Sequence, residues 1–143
     1  MIRVLLDANV LISYLLNRDP EGTVPQAVVF ALSTTCMPIV PQELVEEVVN
    51  SCATKPYLAK HIATRRVHTL IELVAEAGYV PPPLSSLPKP IVRDAKDDYL
   101  LAYALIEQAQ YLVTGDKDLL ILGQVGNVQI VTPDQFLIQA SEG

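Results

Sequence analysis

Cysteine is scarce in this chain, and Cys36 and Cys52 stand at no metal-binding or redox spacing. They read as free thiols, buried or half-buried in a reducing compartment, and exclude a disulfide framework. Long apolar runs are missing too: none approaches a membrane span, and Val10–Leu16 is much too short. No basic, apolar leader with a cleavage site precedes the strand expected from residue 2, so a cytoplasmic protein is expected. Basic residues are few, 10 Lys and Arg against 16 Asp and Glu, for a net charge of −6. That balance argues against holding nucleic acid by bulk phosphate neutralisation, but not against an enzyme whose acids bind cations. Lys55, Lys60, Arg65 and Arg66 crowd into one short segment with His61 and His68, readable as a solvated helical face or an RNA-contacting one. The two histidines have no third ligand in sight, which sets zinc aside.

What the chain does have is apolar content and alternating element types. Half of its residues are hydrophobic, which excludes disorder and gives one domain, residues 1–143, a real core. Ile2–Leu6 is mostly apolar, as expected of a central parallel strand, and ends in Asp7-Ala8-Asn9. Val10–Leu16 has helical length, and Pro25–Thr34 reads as a short helix with proline in its first turn. Met37–Val40 is a second strand. Pro41 then opens a helix whose apolar stripe is Leu44, Val45, Val48, Val49 and Cys52, with Glu46 and Glu47 at its edges and Glu43 opposite. Lys55–Ala77 reads as one or two helices, and Gly78–Val80 as a short third strand. The five prolines of Pro81–Pro90 make that stretch a surface connection.

The stretch from Asp94 to Asp118 organises the rest. Asp97 or Asp98 falls in a first helical turn, where free N–H groups favour a carboxylate. An amphipathic helix follows, then the buried strand Tyr111–Thr114 with Gly115-Asp116 at its carboxyl end. Asp118–Leu122 reads as a short helix, Val128–Val131 as a last strand and Pro133–Ala140 as a closing helix. Strands alternating with helices across short turns predict a parallel α/β sandwich.

In such sheets the ligand crevice lies at the carboxyl ends of the strands. Asp7, one glutamate of the 43–47 helix, Asp98 and Asp116 all fall at that edge. Two unit charges about 4 Å apart repel by about 4 kcal/mol at an effective dielectric of about 20, so either some of them protonate or a cation sits between them. Oxygen ligands without Cys or His select Mg²⁺ or Mn²⁺. An ion held there can bind a phosphodiester, acidify a water and stabilise the leaving oxygen.

With these residues in view, the chain resembles the PIN-domain nucleases, particularly bacterial toxins of VapC type. The motifs that carry the resemblance are Leu5-Leu6-Asp7-Ala8-Asn9-Val10-Leu11-Ile12-Ser13, Glu46-Glu47-Val48-Val49, Lys96-Asp97-Asp98-Tyr99-Leu100-Leu101-Ala102 and Leu112-Val113-Thr114-Gly115-Asp116-Lys117-Asp118-Leu119-Leu120. Ile130 to Leu137 is also similar to one bacterial branch. The chain departs from the family at Pro41, where serine or threonine is common. The resemblance implies a three-layer α/β/α sandwich around a short, mainly parallel sheet. It implies Asp7, Glu47, Asp98 and Asp116 as a catalytic quartet, with Asp7, Asp98 and Asp116 on a Mg²⁺ or Mn²⁺ ion. Asp118 would be an accessory acid, and Asn9 and Thr114 would orient ligands or water. Glu46 is the rival of Glu47, and Asp97 of Asp98.

The leading expectation is therefore a metal-dependent endoribonuclease, the toxin of a toxin–antitoxin pair. RNA is its expected substrate, a protein antitoxin and a second copy of the chain its expected partners, and the membrane no part of its function. One alternative is a catalytically silent PIN-like scaffold for RNA or protein. Another is a phosphotransferase with Asp7 as nucleophile, against which stands the absence of a second aspartate in Asp7-Ala8-Asn9.

Overall fold

Val4, Leu5 and Leu6 are successive residues of one strand and all are buried. Successive strand side chains point to opposite faces, so both faces of the sheet are covered at this strand. The computed structural model describes residues 1–17, 19–84 and 99–142. In it β1 (Ile2–Leu6), β2 (Cys36–Pro38), β3 (Tyr111–Val113), β4 (Gln124–Val125) and β5 (Val128–Val131) form one sheet in the order β2-β1-β3-β5-β4. Every pairing is parallel except β4 with β5. The helices are α1 (Ala8–Leu16), α2 (Thr23–Ala31), α3 (Gln42–Thr54), α4 (Pro56–His61), α5 (Thr64–Ala77), α6 (Tyr99–Ile106), α7 (Lys117–Leu120) and α8 (Pro133–Glu142). They pack on the sheet as an α/β sandwich. No helix among the described residues is long and apolar enough to cross a membrane.

Strands β1 and β5 have the bounds their apolar runs predict. The second strand is one residue out at its start: Cys36 pairs with Ile2, and beyond Pro38 the chain keeps only an isolated parallel bridge from Ile39 to Tyr79. Pro38 has no N–H for a ladder, and here its carbonyl takes the Tyr79 amide at 2.8 Å. The expected strand at residues 78–80 is reduced to that bridge. The antiparallel β4–β5 hairpin is absent from the sequence reading. Its two-residue turn, Gly126-Asn127, has φ +58° at Gly126, which suits a first-position glycine of the mirror-image hairpin turns.

Phe136 of α8 is fully buried and makes edge-to-face contacts with Phe30 of α2 and Tyr111 of β3, at ring centroid distances of 5.7 and 5.5 Å. These rings fix α2 and α8 together on the sheet, and such pairs add about 0.5–1.5 kcal/mol each beyond area burial. Pro25 lies in the first turn of α2, where its missing N–H leaves no bond unmade. Part of the expected proline-rich connection, and both Asp97 and Asp98, lie outside the described residues.

Candidate active site

The pairing of β1 with β3 sets Leu6 against Val113, and one step further up the two strands stand Asp7 and Thr114. Asp7 is only 7% exposed and Thr114 is fully buried. The Thr114 hydroxyl donates to Asp7 Oδ2 at 2.6 Å and accepts the amide of Asp116 at 2.9 Å. Asn9, in the first turn of α1, donates through Nδ2 to Asp7 Oδ2 at 3.2 Å and to Thr114 Oγ1 at 3.4 Å, while its Oδ1 takes the Gly115 amide at 3.2 Å. Two strand ends and one helix start are thus tied around a single carboxylate.

Burial pushes the Asp7 carboxyl above its ordinary value, and the nearby charge of Glu47 pushes the same way. The Thr114 hydroxyl and the amides of Ala8 and Asn9 act in the opposite direction. Those amides face the carboxylate from the start of α1 without closing a side-chain cap bond. Desolvation is the largest of these effects, so the surroundings of Asp7 do not fully balance the negative charge of its ionised form.

On α3 the fully buried positions are Leu44, Val48 and Cys52, a narrower stripe than its apolar residues suggest, with Val45 and Val49 half-buried on one flank. Glu43 and Glu47 occupy the other flank, and Glu46 faces outward and accepts from Gln42 at 3.1 Å. Glu43 is therefore turned toward α6 rather than away from the core. The charge of Glu47 bears on Asp7.

Asp116 caps α7, its Oδ1 taking the Asp118 amide at 2.9 Å, so this helix begins at Lys117, one residue earlier than expected. Asp118 is exposed and lends this backbone amide to the cap. Two tyrosines that local sequence patterns do not single out contact Glu47 and Glu43. The Tyr99 hydroxyl donates to Glu47 Oε1, and the Tyr103 hydroxyl to both oxygens of Glu43 at 2.8 and 2.7 Å. Burial and the glutamate partners push both phenols well above the usual range, so both keep the proton they donate.

The basic segment lies elsewhere. Arg66 donates to the Leu15 carbonyl at 2.9 Å, at the far end of α1 from Asp7. Lys55 ends the 13-residue α3, roughly 20 Å along that helix from its start. Neither belongs to the acidic cluster.

The PIN domain family model matches residues 3–118, a range that contains Asp7, Glu47, Asp98 and Asp116. The chain belongs to the PIN domain family. None of the curated proteins compared with it matches. A PIN domain has a nuclease-like fold, and the family typically uses a divalent metal ion. The donors assembled around Asp7 fit such an ion in kind: carboxylate, amide and hydroxyl oxygens around an incompletely balanced negative charge suit a hard cation. Among the described residues no three His, Cys, Asp or Glu side chains come together as a metal-holding group. Asp98, which the sequence reading counts among the ligands, is not one of the residues described.

Proposed function

We propose that this PIN domain protein is a Mg²⁺- or Mn²⁺-dependent endoribonuclease and the toxin of a toxin–antitoxin pair. The observation that carries the reading is the buried Asp7 carboxylate, held at a strand end by Thr114 and Asn9 with the charge of Glu47 beside it. A buried acid with a second acid nearby is an unfavourable arrangement in a protein that does not bind a cation.

In this reading Asp7, Asp98 and Asp116 hold the ion, and Glu47 completes the site or orients the attacking water. Asn9 and Thr114 keep the Asp7 carboxylate in one orientation, and Asp118 is an accessory acid. When bound, the ion would supply the positive charge that an acidic chain lacks and would promote attack of water on a phosphodiester. The products would be a 5′-phosphate and a 3′-hydroxyl. The negative net charge favours an antitoxin that brings basic residues to the carboxylates. A homodimer of this chain is part of the same proposal.

The test is cleavage of a structured RNA by purified protein in Mn²⁺, with and without EDTA, beside Asp7→Asn and Asp116→Asn. Loss of cleavage in EDTA and in both variants is expected. EDTA-insensitive cleavage at wild-type rate in either variant would rule the mechanism out. For the pairing, coexpression with the product of the neighbouring reading frame should relieve growth arrest; a neighbour that neither binds nor relieves it counts against a toxin.

A further inference from the structure

Glu47 is an exposed side chain on a helix flank, and a free glutamate of that kind samples several rotamers. Holding one rotamer opposes side-chain entropy, so some contact has to fix it. That contact is the Tyr99 hydroxyl, donated to Glu47 Oε1 from the half-buried first residue of α6. A phenol suits the task because its ring turns about only two bonds. Its single O–H engages one carboxylate oxygen and leaves lone pairs of the other for a further partner.

A second rung between the same helices serves as an internal comparison. Tyr103 stands four residues after Tyr99, and Glu43 four residues before Glu47, so each pair occupies one helical face. Tyr103 is 1% exposed, and its oxygen also takes the Leu84 amide at 2.9 Å. This rung joins α3, α6 and the chain at Leu84 inside the fold. The two rungs differ in what lies beyond them. The charge of Glu47 bears on Asp7, whereas both oxygens of Glu43 are taken up by the buried Tyr103 hydroxyl. The Tyr99 phenol in turn lies in the field of Glu47, Asp7 and Glu43 together.

We propose that Tyr99 is a positioning residue of the acidic site, its hydroxyl holding the Glu47 carboxylate toward Asp7, whereas the Tyr103–Glu43 rung holds the fold. The role in the reaction rests on the ribonuclease reading; the role in placing Glu47 for a cation does not.

The experiment compares wild type, Tyr99→Phe, Glu47→Ala, the double variant and Tyr103→Phe. Three quantities are read on the full chain: Mn²⁺ affinity by calorimetry without RNA, kcat and KM on RNA with Mn²⁺, and Tm. Tyr99→Phe keeps the ring and should leave Tm and the KM for RNA near wild type. It should weaken Mn²⁺ binding several-fold and lower kcat about tenfold, since a misplaced group near the chemistry acts on kcat. The double variant should be no worse than Glu47→Ala alone, because Tyr99 acts only through that carboxylate. Tyr103→Phe should lower Tm and leave kcat within about twofold of wild type.

Equal losses from Tyr99→Phe with and without Glu47, or an equal kcat loss in Tyr103→Phe, would show packing alone and overturn the proposal. A wild type that cuts RNA and is indifferent to Tyr99→Phe overturns the positioning role and leaves the ribonuclease reading. A wild type that binds Mn²⁺ with the Tyr99–Glu47 coupling but cuts no RNA overturns that reading and keeps the positioning role. A wild type that binds no Mn²⁺ overturns both.

Discussion

The Thr114 hydroxyl lies 2.6 Å from Asp7 Oδ2, and through this bond the end of β3 is fastened to the end of β1. The register of the two strands brings the residues level, and burial gives the bond its consequence. One threonine oxygen donates to the carboxylate and receives the Asp116 amide, so the two acids at the strand ends are linked through a side chain that carries no charge.

Replacing that hydroxyl should therefore disturb more than one group. Thr114→Val keeps the shape, removes the donor to Asp7 and leaves the Asp116 amide without its acceptor. A destabilisation of about 1–3 kcal/mol is expected, because a buried partner is left unsatisfied. Thr114→Ser keeps the hydroxyl and should recover most of the loss. Denaturant melts of the three proteins decide it; a Val variant as stable as the Ser variant would mean that the hydroxyl contributes nothing.

The pH dependence of Asp7 has a definite sign. Burial, and then the charge of Glu47, raise its folded-state pKa above the unfolded value, against the pull of Thr114. Its contribution to stability is therefore fully present below the unfolded pKa and is lost as the pH rises through the folded pKa. Asp7→Asn removes the charge and retains a residue equally suited to a helix start. In EDTA at pH 7 the variant should melt above the wild type, and the gap should close as the pH falls toward about 4. Added Mn²⁺ should reverse the order, since it stabilises only the protein that holds it. A gap that is constant across this range, or negative at pH 7, contradicts the desolvated carboxylate.

How far the sequence discloses all this depends on distance along the chain. Asp7 and Asn9 are two residues apart on a strand-to-helix turn, and Thr114 to Asp118 form the equivalent turn after β3, so both groups are visible as local motifs. Their meeting follows from parallel β-topology, which alternating elements already imply. The choice between Glu46 and Glu47 turns on one helical step of about 100°, and it depends on how wide a stripe α3 buries, which only packing decides. The tyrosine contacts span 52 and 60 residues, and nothing in local spacing announces them. The β4 strand is two residues long, too short for any alternation to show, although Gly126-Asn127 is a recognised hairpin signal.

Gly78 marks a close approach at the sheet margin. A Cβ there would lie 2.3 Å from the Pro38 carbonyl oxygen, 2.8 Å from Pro38 Cγ and 3.0 Å from Val40 Cγ2. The same carbonyl accepts the Tyr79 amide, and Tyr79 in turn accepts the Val40 amide at 2.8 Å. Gly78→Ala should therefore push α5 and its bridge away from β2 at a cost of about 1–3 kcal/mol. Hydrogen exchange should show faster opening at the Tyr79 and Val40 amides. An alanine variant with wild-type Tm and exchange would mean that this margin has room to give.

Asp116 allows its structural and chemical roles to be separated by the choice of substitution. Its Oδ1 caps α7 by accepting the Asp118 amide, a task an asparagine oxygen performs equally well and an alanine cannot. Asp116→Asn should thus melt with the wild type, whereas Asp116→Ala should lose about 1 kcal/mol. If Asp116 also holds the ion, both variants should lose Mn²⁺-dependent cleavage by about 100-fold or more, since even groups one step removed from a metal are worth about 10–100-fold. The asparagine variant decides the matter, because it keeps the cap and gives up the charge. Wild-type cleavage and wild-type Mn²⁺ affinity in Asp116→Asn would make this residue a helix cap and nothing more, and the ion would then have to be held by Asp7 and its other neighbours.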